Sequence, residues 1–104
     1  MKQIAILEPY KIGIIDVPKP KPEPDQILTK TTVCGVSIGT ELIDYRGGFE
    51  KLPQKWKEIH PYTFPVFPGY ENVGKVVEVG KNVKDVAVGD RAVHCGTYAE
   101  YCCA

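Results

Sequence analysis

The sequence predicts a mainly-β domain, a barrel or sandwich of short strands with one or two short helices. Three observations carry this. Runs of β-branched residues with period-two patterning recur along the chain, glycines and prolines punctuate them at short intervals, and only two stretches have room for a helix. A length of 104 residues is enough for one core, and 43% hydrophobic with 25% charged residues is the composition of an ordinary globular protein.

Residues 2–7 and 12–17 form two β-type runs around Glu8-Pro9-Tyr10-Lys11, which predicts a hairpin. Pro18, Pro20, Pro22 and Pro24 then alternate with Lys19, Lys21, Glu23 and Asp25. Prolines donate no ladder hydrogen bonds, so this stretch is expected as a polyproline-like surface connector rather than a ligand for a proline-binding module. Gln26 to Val36 is the longest β-type run, with Ile27, Thr29, Thr31 and Val33 facing one way.

Residues 39–46 can make two turns of helix, with Thr40 as N-cap and Gly47-Gly48 as the stop. Residues 50–63, with Trp56 between Pro53 and Pro61, predict one short surface helix, and His60 beside it is expected to be exposed. Phe64 to Gly80 opens with two prolines that forbid helix and turns at Gly69. A strand follows, with Val73, Val76, Val77 and Val79 as its apolar surface. Gly74 inside it marks a bulge or a close approach by another backbone. Tyr70 and Glu71 stand between turn and strand, where a site would begin. After a polar turn at 81–85 and a corner at Gly89-Asp90, residues 91–93 and 98–101 are expected as the last strands, around a turn at Gly96.

Thirteen basic residues balance thirteen acidic ones, so no net field favours nucleic acid or an anionic membrane. The first apolar run is cut off by Glu8 and Pro9, too short for a signal-peptide core or a membrane span. Four cysteines in a chain without a secretion signal suggest reduced thiols in a cytoplasmic protein. His94, Cys95, Cys102 and Cys103 fit no standard zinc spacing, and small buried thiols are the simpler reading.

Several motifs then fall in order: Gly35-Val36-Ser37, Thr40-Glu41, Gly47-Gly48, Phe67-Pro68-Gly69-Tyr70-Glu71, Gly74 to Gly80, Gly89-Asp90-Arg91, and Gly96 to Tyr101. The set resembles the N-terminal GroES-like domain of the medium-chain dehydrogenase/reductase family, which includes the zinc alcohol dehydrogenases. The resemblance implies a GroES-like, partly open β-barrel carrying one side of an active-site cleft. It makes Ser37, Thr40, Tyr70 and Glu71 the candidate catalytic residues.

Zinc members of that family have cysteine where Ser37 stands and histidine where Tyr70 stands. Neutral hydroxyls are poor zinc ligands, so zinc is not expected. Thr40-Glu41 is similar to the family's Ser/Thr-Asp pair, in which the hydroxyl passes a proton from the bound alcohol; capping a helix, with Glu41 in the first turn, is the simpler reading of the pair. No Gly-x-Gly-x-x-Gly turn occurs, so no cofactor is expected on this chain alone, whereas a complete family member would use NAD(P)H.

The resemblance therefore implies a truncated or split substrate-side domain, zinc-independent and inactive alone. It would associate with itself or pair with a separate cofactor-binding polypeptide. A non-catalytic binding module of the co-chaperonin type is the alternative, since the strand from Gly74 to Gly80 and the Gly-Asp-Arg corner resemble those proteins too.

Overall fold

A computed structural model describes residues 1–48, 54–59 and 63–104. Lys2–Glu8 (β1) and Lys11–Asp16 (β2) pair antiparallel, as the hairpin pattern predicts. Ile27–Gly35 (β3), Glu71–Val79 (β4), Arg91–His94 (β5) and Tyr101–Cys103 (β6) form a four-stranded sheet in the order β5-β4-β3-β6. Two isolated bridges, Gln3 to Ala99 and Ile6 to Val66, fasten the hairpin to the larger sheet. The two sheets do not close into a barrel, which is consistent with the mainly-β, partly open architecture expected.

The core lies where hairpin and sheet meet. Ala5, Ile6, Leu28 and Val76 are at most 1% exposed, and burial of each larger aliphatic side chain contributes roughly 1.5–3 kcal/mol. Ala99 and Cys102 complete the apolar part, while Thr29 and Asn72 are buried among them as polar residues.

Two bulges change which residues face inward. On β3, Thr31 pairs with Gly74 and Val33 with Val73, so Thr32 is an extra residue. Beyond it the alternation reverses, and Val33, expected on the inner face, is 56% exposed. On β4, Leu28 and Thr29 pair with Glu78 and Val76, so Val77 is extra and lies 36% exposed instead of within the apolar surface. The buried face of β4 is Asn72, Gly74 and Val76. A Cβ on Gly74 would lie 2.7 Å from Thr29 Cβ and 2.9 Å from the Lys30 carbonyl oxygen, so this glycine marks a close backbone approach.

Ile38–Arg46 (α1) follows β3 after a two-residue link. The helix begins earlier than the Thr40 cap predicts: Ser37, extended at φ −91°, ψ 104°, is the N-cap, and Thr40 sits inside the first turn. Gly47 ends the helix in the left-handed region, with the Gly47 and Gly48 amides donating to the Asp44 and Ile43 carbonyls, as the double glycine predicts. Gln54–Ile59 (α2) is the second short helix; His60 lies outside the described residues.

The proline connector is pinned to the turn after β4. The Asn82 amide donates to the Pro24 carbonyl, and its side chain donates to Asp25 Oδ1 at 2.8 Å. Lys19 lies 4.1 Å above the Tyr101 ring. The last strand lies at Tyr101–Cys103, later than 98–101, because residues 98–100 turn away to bond β1 before β6 joins β3. β5 and β6 are not partners; β4 and β3 separate them.

Candidate active site

The end of β3, the start of α1 and the start of β4 converge. Gly35 and Glu71 stand opposite each other in the β3–β4 ladder, and the Glu71 side chain fills the space above Gly35. Ser37 and Thr40, three residues apart across the helix start, bring their hydroxyl oxygens to 3.5 Å. The structure thus joins Ser37 to Thr40 and sets Glu71 against the backbone two residues before Ser37. Tyr70 stands on the adjoining turn, 39% exposed, and no hydrogen bond among the described residues joins it to the other three.

The turn takes its shape from Gly69, at φ +103°, a conformation open to glycine and strained for other residues. A Cβ there would meet the Tyr98 ring at 2.9 Å. Tyr98 itself was not among the residues that the sequence singles out. Its hydroxyl lies 2.5 Å from Glu41 Oε1, to which it donates, and 3.1 Å from the Gly35 carbonyl oxygen. Burial pushes the phenol pKa up, and the hydrogen bond to Glu41 together with the charges of Glu41 and Glu71 adds to that rise. Glu41 Oε2 is buried and has no hydrogen-bond partner among the described residues. Asp44, one turn along α1, is also pushed up, first by burial and then by the Glu41 charge.

Behind Glu71, Asn72 ties the start of β4 to the interior. Its amide donates to Thr31 Oγ1 and to the Thr97 carbonyl, each at 3.2 Å, with Cys34 Sγ at 3.4 Å. Thr31 passes its own hydrogen to the Ala99 carbonyl at 2.6 Å, which leaves its oxygen free to accept from Asn72. Asn72 Oδ1 is buried without a partner among the described residues. Below it, Thr29 Oγ1 lies 2.8 Å from His94 Nε2, and His94 Nδ1 lies 3.2 Å from the Cys95 carbonyl. Thr29 Oγ1 also donates to the Cys102 carbonyl at 3.2 Å, so this hydroxyl links β6 to His94.

The donors at this mouth do not suit zinc. They are the hydroxyls of Ser37, Thr40 and Tyr70 and the carboxylate of Glu71, while Glu41 is engaged by Tyr98. The neighbouring thiol, Cys34, has its pKa pushed up by burial and by the nearby Cys102. Among the described residues no three His, Cys, Asp or Glu side chains gather as a metal site. His94, Cys95, Cys102 and Cys103 accordingly do not form one cluster.

Two apolar grooves flank the site. The larger, about 500 Å³, runs between the hairpin and the end of β3, with Ile4, Ile14, Cys34, Val36 and Tyr98 in its wall. The smaller, about 300 Å³, lies between β2 and α1 against Ile12, Val36, Ile38, Leu42 and Glu41. Val36 belongs to both, so an exposed apolar strip runs continuously past the site. Ile14, Val36 and Ile38 are each about two-thirds or more exposed in it. Among the described residues no helix is long and apolar enough to cross a membrane.

Comparison with known proteins agrees with this architecture. The (R,R)-butanediol dehydrogenase of Bacillus subtilis (strain 168) is 40% identical over 83 residues, covering 79% of this chain and 24% of that protein. An alcohol dehydrogenase of Geobacillus stearothermophilus is 36% identical over 94% of this chain and 28% of its own length. The chain therefore spans about a quarter of the length of these curated relatives. Among solved structures, the quinone oxidoreductase from Coxiella burnetii superposes on 100% of the chain and 34% of its own, with TM-score 0.77 and 26% identity. The sequence profile of the alcohol dehydrogenase GroES-like domain matches residues 23–104, which hold the whole four-stranded sheet and the whole of the candidate site. With that match over most of its length, the chain belongs to the alcohol dehydrogenase GroES-like domain family of the medium-chain dehydrogenases/reductases.

Proposed function

We propose that this chain supplies the substrate-facing side of an alcohol dehydrogenase-like oxidoreductase, that it holds no catalytic zinc, and that it is inactive alone. The observation that supports this most is the donor set at the mouth. The Ser37 and Thr40 hydroxyls lie 3.5 Å apart, and the Glu71 carboxylate stands against Gly35, two residues before Ser37. In this reading the Ser37–Thr40 hydroxyl pair and the Tyr70 phenol donate hydrogen bonds to a substrate carbonyl or alcohol oxygen. Glu71, held over Gly35, orients that oxygen or a water beside it.

The hydride would come from NAD(P)H, as in the dehydrogenases that this chain resembles, and no residue of this chain is assigned to hold it. The nicotinamide would sit on a separate dinucleotide-binding body. The apolar strip through Ile12, Ile14, Val36, Ile38 and Leu42 is the surface such a body would cover. Val36 and Ile38 flank Ser37 in sequence, so covering the strip would also close the site and exclude water from it. Self-association through the same strip is the competing use of this surface in the isolated chain.

Fluorescence titration of the purified chain with NADPH and NADH tests this reading. The expected result is no saturable binding by the chain, with binding and carbonyl-dependent oxidation appearing only when a family cofactor domain is supplied. Saturable micromolar binding by the chain alone would overturn it.

A further inference from the structure

Three separate stretches build the candidate site: the end of β3, the first turn of α1 and the turn before β4. One side chain touches all three. The Tyr98 hydroxyl reaches Glu41 Oε1 at 2.5 Å and the Gly35 carbonyl oxygen at 3.1 Å. The face of its ring lies where a Cβ on Gly69 would be, 2.9 Å from both Cδ1 and Cε1. Its backbone amide donates to the Pro68 carbonyl at 3.1 Å, so ring and backbone grip the same turn.

We propose that Tyr98 is the positioning residue of the site, its hydroxyl fixing α1 against β3 and its ring fixing the turn that presents Tyr70 and Glu71. The identity of the positioned residues rests on the function proposed above; the clamp itself does not. Glu41 follows Thr40 directly, so anchoring its carboxylate sets the register of the first helical turn and with it the Ser37–Thr40 pair. Ser37 cannot do this, because its side chain makes no capping bond to the helix backbone. The helix buries none of its residues fully. It is tied to the hairpin further along, where the Tyr10 amide donates to the Tyr45 carbonyl at 2.7 Å and the two rings meet edge to face, so its first turn needs a tie of its own. A charge-assisted bond from a half-buried phenol is therefore a main constraint on α1.

The two halves of the clamp act on different segments, and this separates a positioning role from simple core filling. Amide hydrogen exchange should be measured by NMR on the whole chain, without metal or cofactor, for the parent, Tyr98→Phe, Tyr98→Ala and Glu41→Gln. Tyr98→Phe keeps the ring and loses the hydroxyl. It should speed exchange about tenfold or more at 41–45 and leave 69–72 and the β1–β2 hairpin within about twofold of the parent. Tyr98→Ala should release both segments. Glu41→Gln keeps an acceptor for the phenol and should retain most of the α1 protection that Tyr98→Phe removes.

Absorbance titration gives a second readout: one of the six tyrosines should resist ionisation beyond the rest, and Tyr98→Phe should remove that one. Unchanged exchange at 41–45 in Tyr98→Phe, or acceleration spread evenly over the hairpin as well, would overturn the proposal. Should Tyr98→Ala fail to fold, Tyr98→Phe and Glu41→Gln decide the matter. These outcomes are independent of whether the chain binds zinc or a nucleotide, so the clamp and the proposed function can fail separately.

Discussion

Glu71 stands directly opposite Gly35 across the β3–β4 ladder, and its side chain occupies the space that any larger residue at 35 would need. The pair joins the two halves of the candidate site through the sheet itself. A Cβ at 35 would come within 3.0 Å of Glu71 Cβ and would displace the carboxylate. Gly35→Ala is therefore expected to destabilise the domain by roughly 1–3 kcal/mol, read from the urea midpoint, as overpacking does elsewhere. An unchanged midpoint would mean that Glu71 has another place to go.

Asn72 leads to a larger effect. It is 1% exposed, and its amide holds Thr31 and the Thr97 carbonyl together. Asn72→Ala removes both bonds, while the Thr97 carbonyl keeps the Ala99 amide and the Thr31 hydroxyl keeps the Ala99 carbonyl, and should cost about 1–2 kcal/mol. Asn72→Asp places a charge in the same spot without a cation beside it and should cost more, about 3–5 kcal/mol near neutral pH. Because protonation neutralises that carboxyl, the penalty of Asn72→Asp relative to the parent should shrink as the pH falls. Denaturant curves at two pH values check both statements.

The parts of this molecule that were legible in the sequence are those governed by neighbours along the chain. The hairpin around Pro9-Tyr10, the stop at Gly47-Gly48 and the strand after Gly69 all follow from local turn chemistry and period-two patterning. Ser37, Thr40, Tyr70 and Glu71 were singled out as candidates through an ordered set of motifs. The structure brings Ser37 to Thr40 and Glu71 to Gly35, and leaves Tyr70 on the adjoining turn.

Period-two counting failed at Val33 and Val77 because an extra residue in either strand reverses the face, and no local signal announces Thr32 or Val77 as that residue. Thr40 was a sound cap by residue type, yet the extended backbone at Ser37 starts the helix earlier. Tyr98 and Asn72 were missed for a different reason. Tyr98 meets Gly35 and Glu41 from 63 and 57 positions away, and Asn72 meets Thr31 from 41, distances over which no spacing rule operates. The one cue was a tyrosine that follows a glycine turn beside an alanine destined for the core.

Stability should decline on the alkaline side. Burial raises the Cys34, Cys103 and Tyr98 pKa values in the folded chain. The native state then keeps protons that the unfolded chain releases. Their contribution is complete below the ordinary thiol value of 9.0 and is lost progressively as the pH rises past it, with the phenol joining above 10.0. Tyr98→Phe should flatten the part of the decline above 10.0, which thermal melts across pH 8–11 can resolve. On the acid side, hydrogen bonding to Lys2 lowers the Asp16 pKa, so its small contribution is present above the ordinary carboxylate value of 3.8 and disappears as the pH falls below it. Lys2→Met should remove that acid-side slope.

Thiol accessibility gives an ordered prediction. Cys95 is exposed, Cys34 and Cys103 are half-buried with raised pKa values, and Cys102 is buried beneath Asn72. Iodoacetamide at pH 7.5, followed by peptide mass spectrometry, should label Cys95 first and Cys102 last. Early labelling of Cys102 would show that the interior opens far more readily than its packing implies.

The account stands or falls on whether the mouth formed by Ser37, Thr40, Tyr70 and Glu71 holds a metal. The direct measurement is zinc per chain by plasma mass spectrometry, after expression in zinc-supplemented medium and dialysis without chelator. The account predicts well under 0.1 zinc per chain (about a tenth as an upper bound), since hydroxyl donors compete poorly with water. One tightly held zinc per chain, lost on Glu71→Gln or Ser37→Ala, would contradict it.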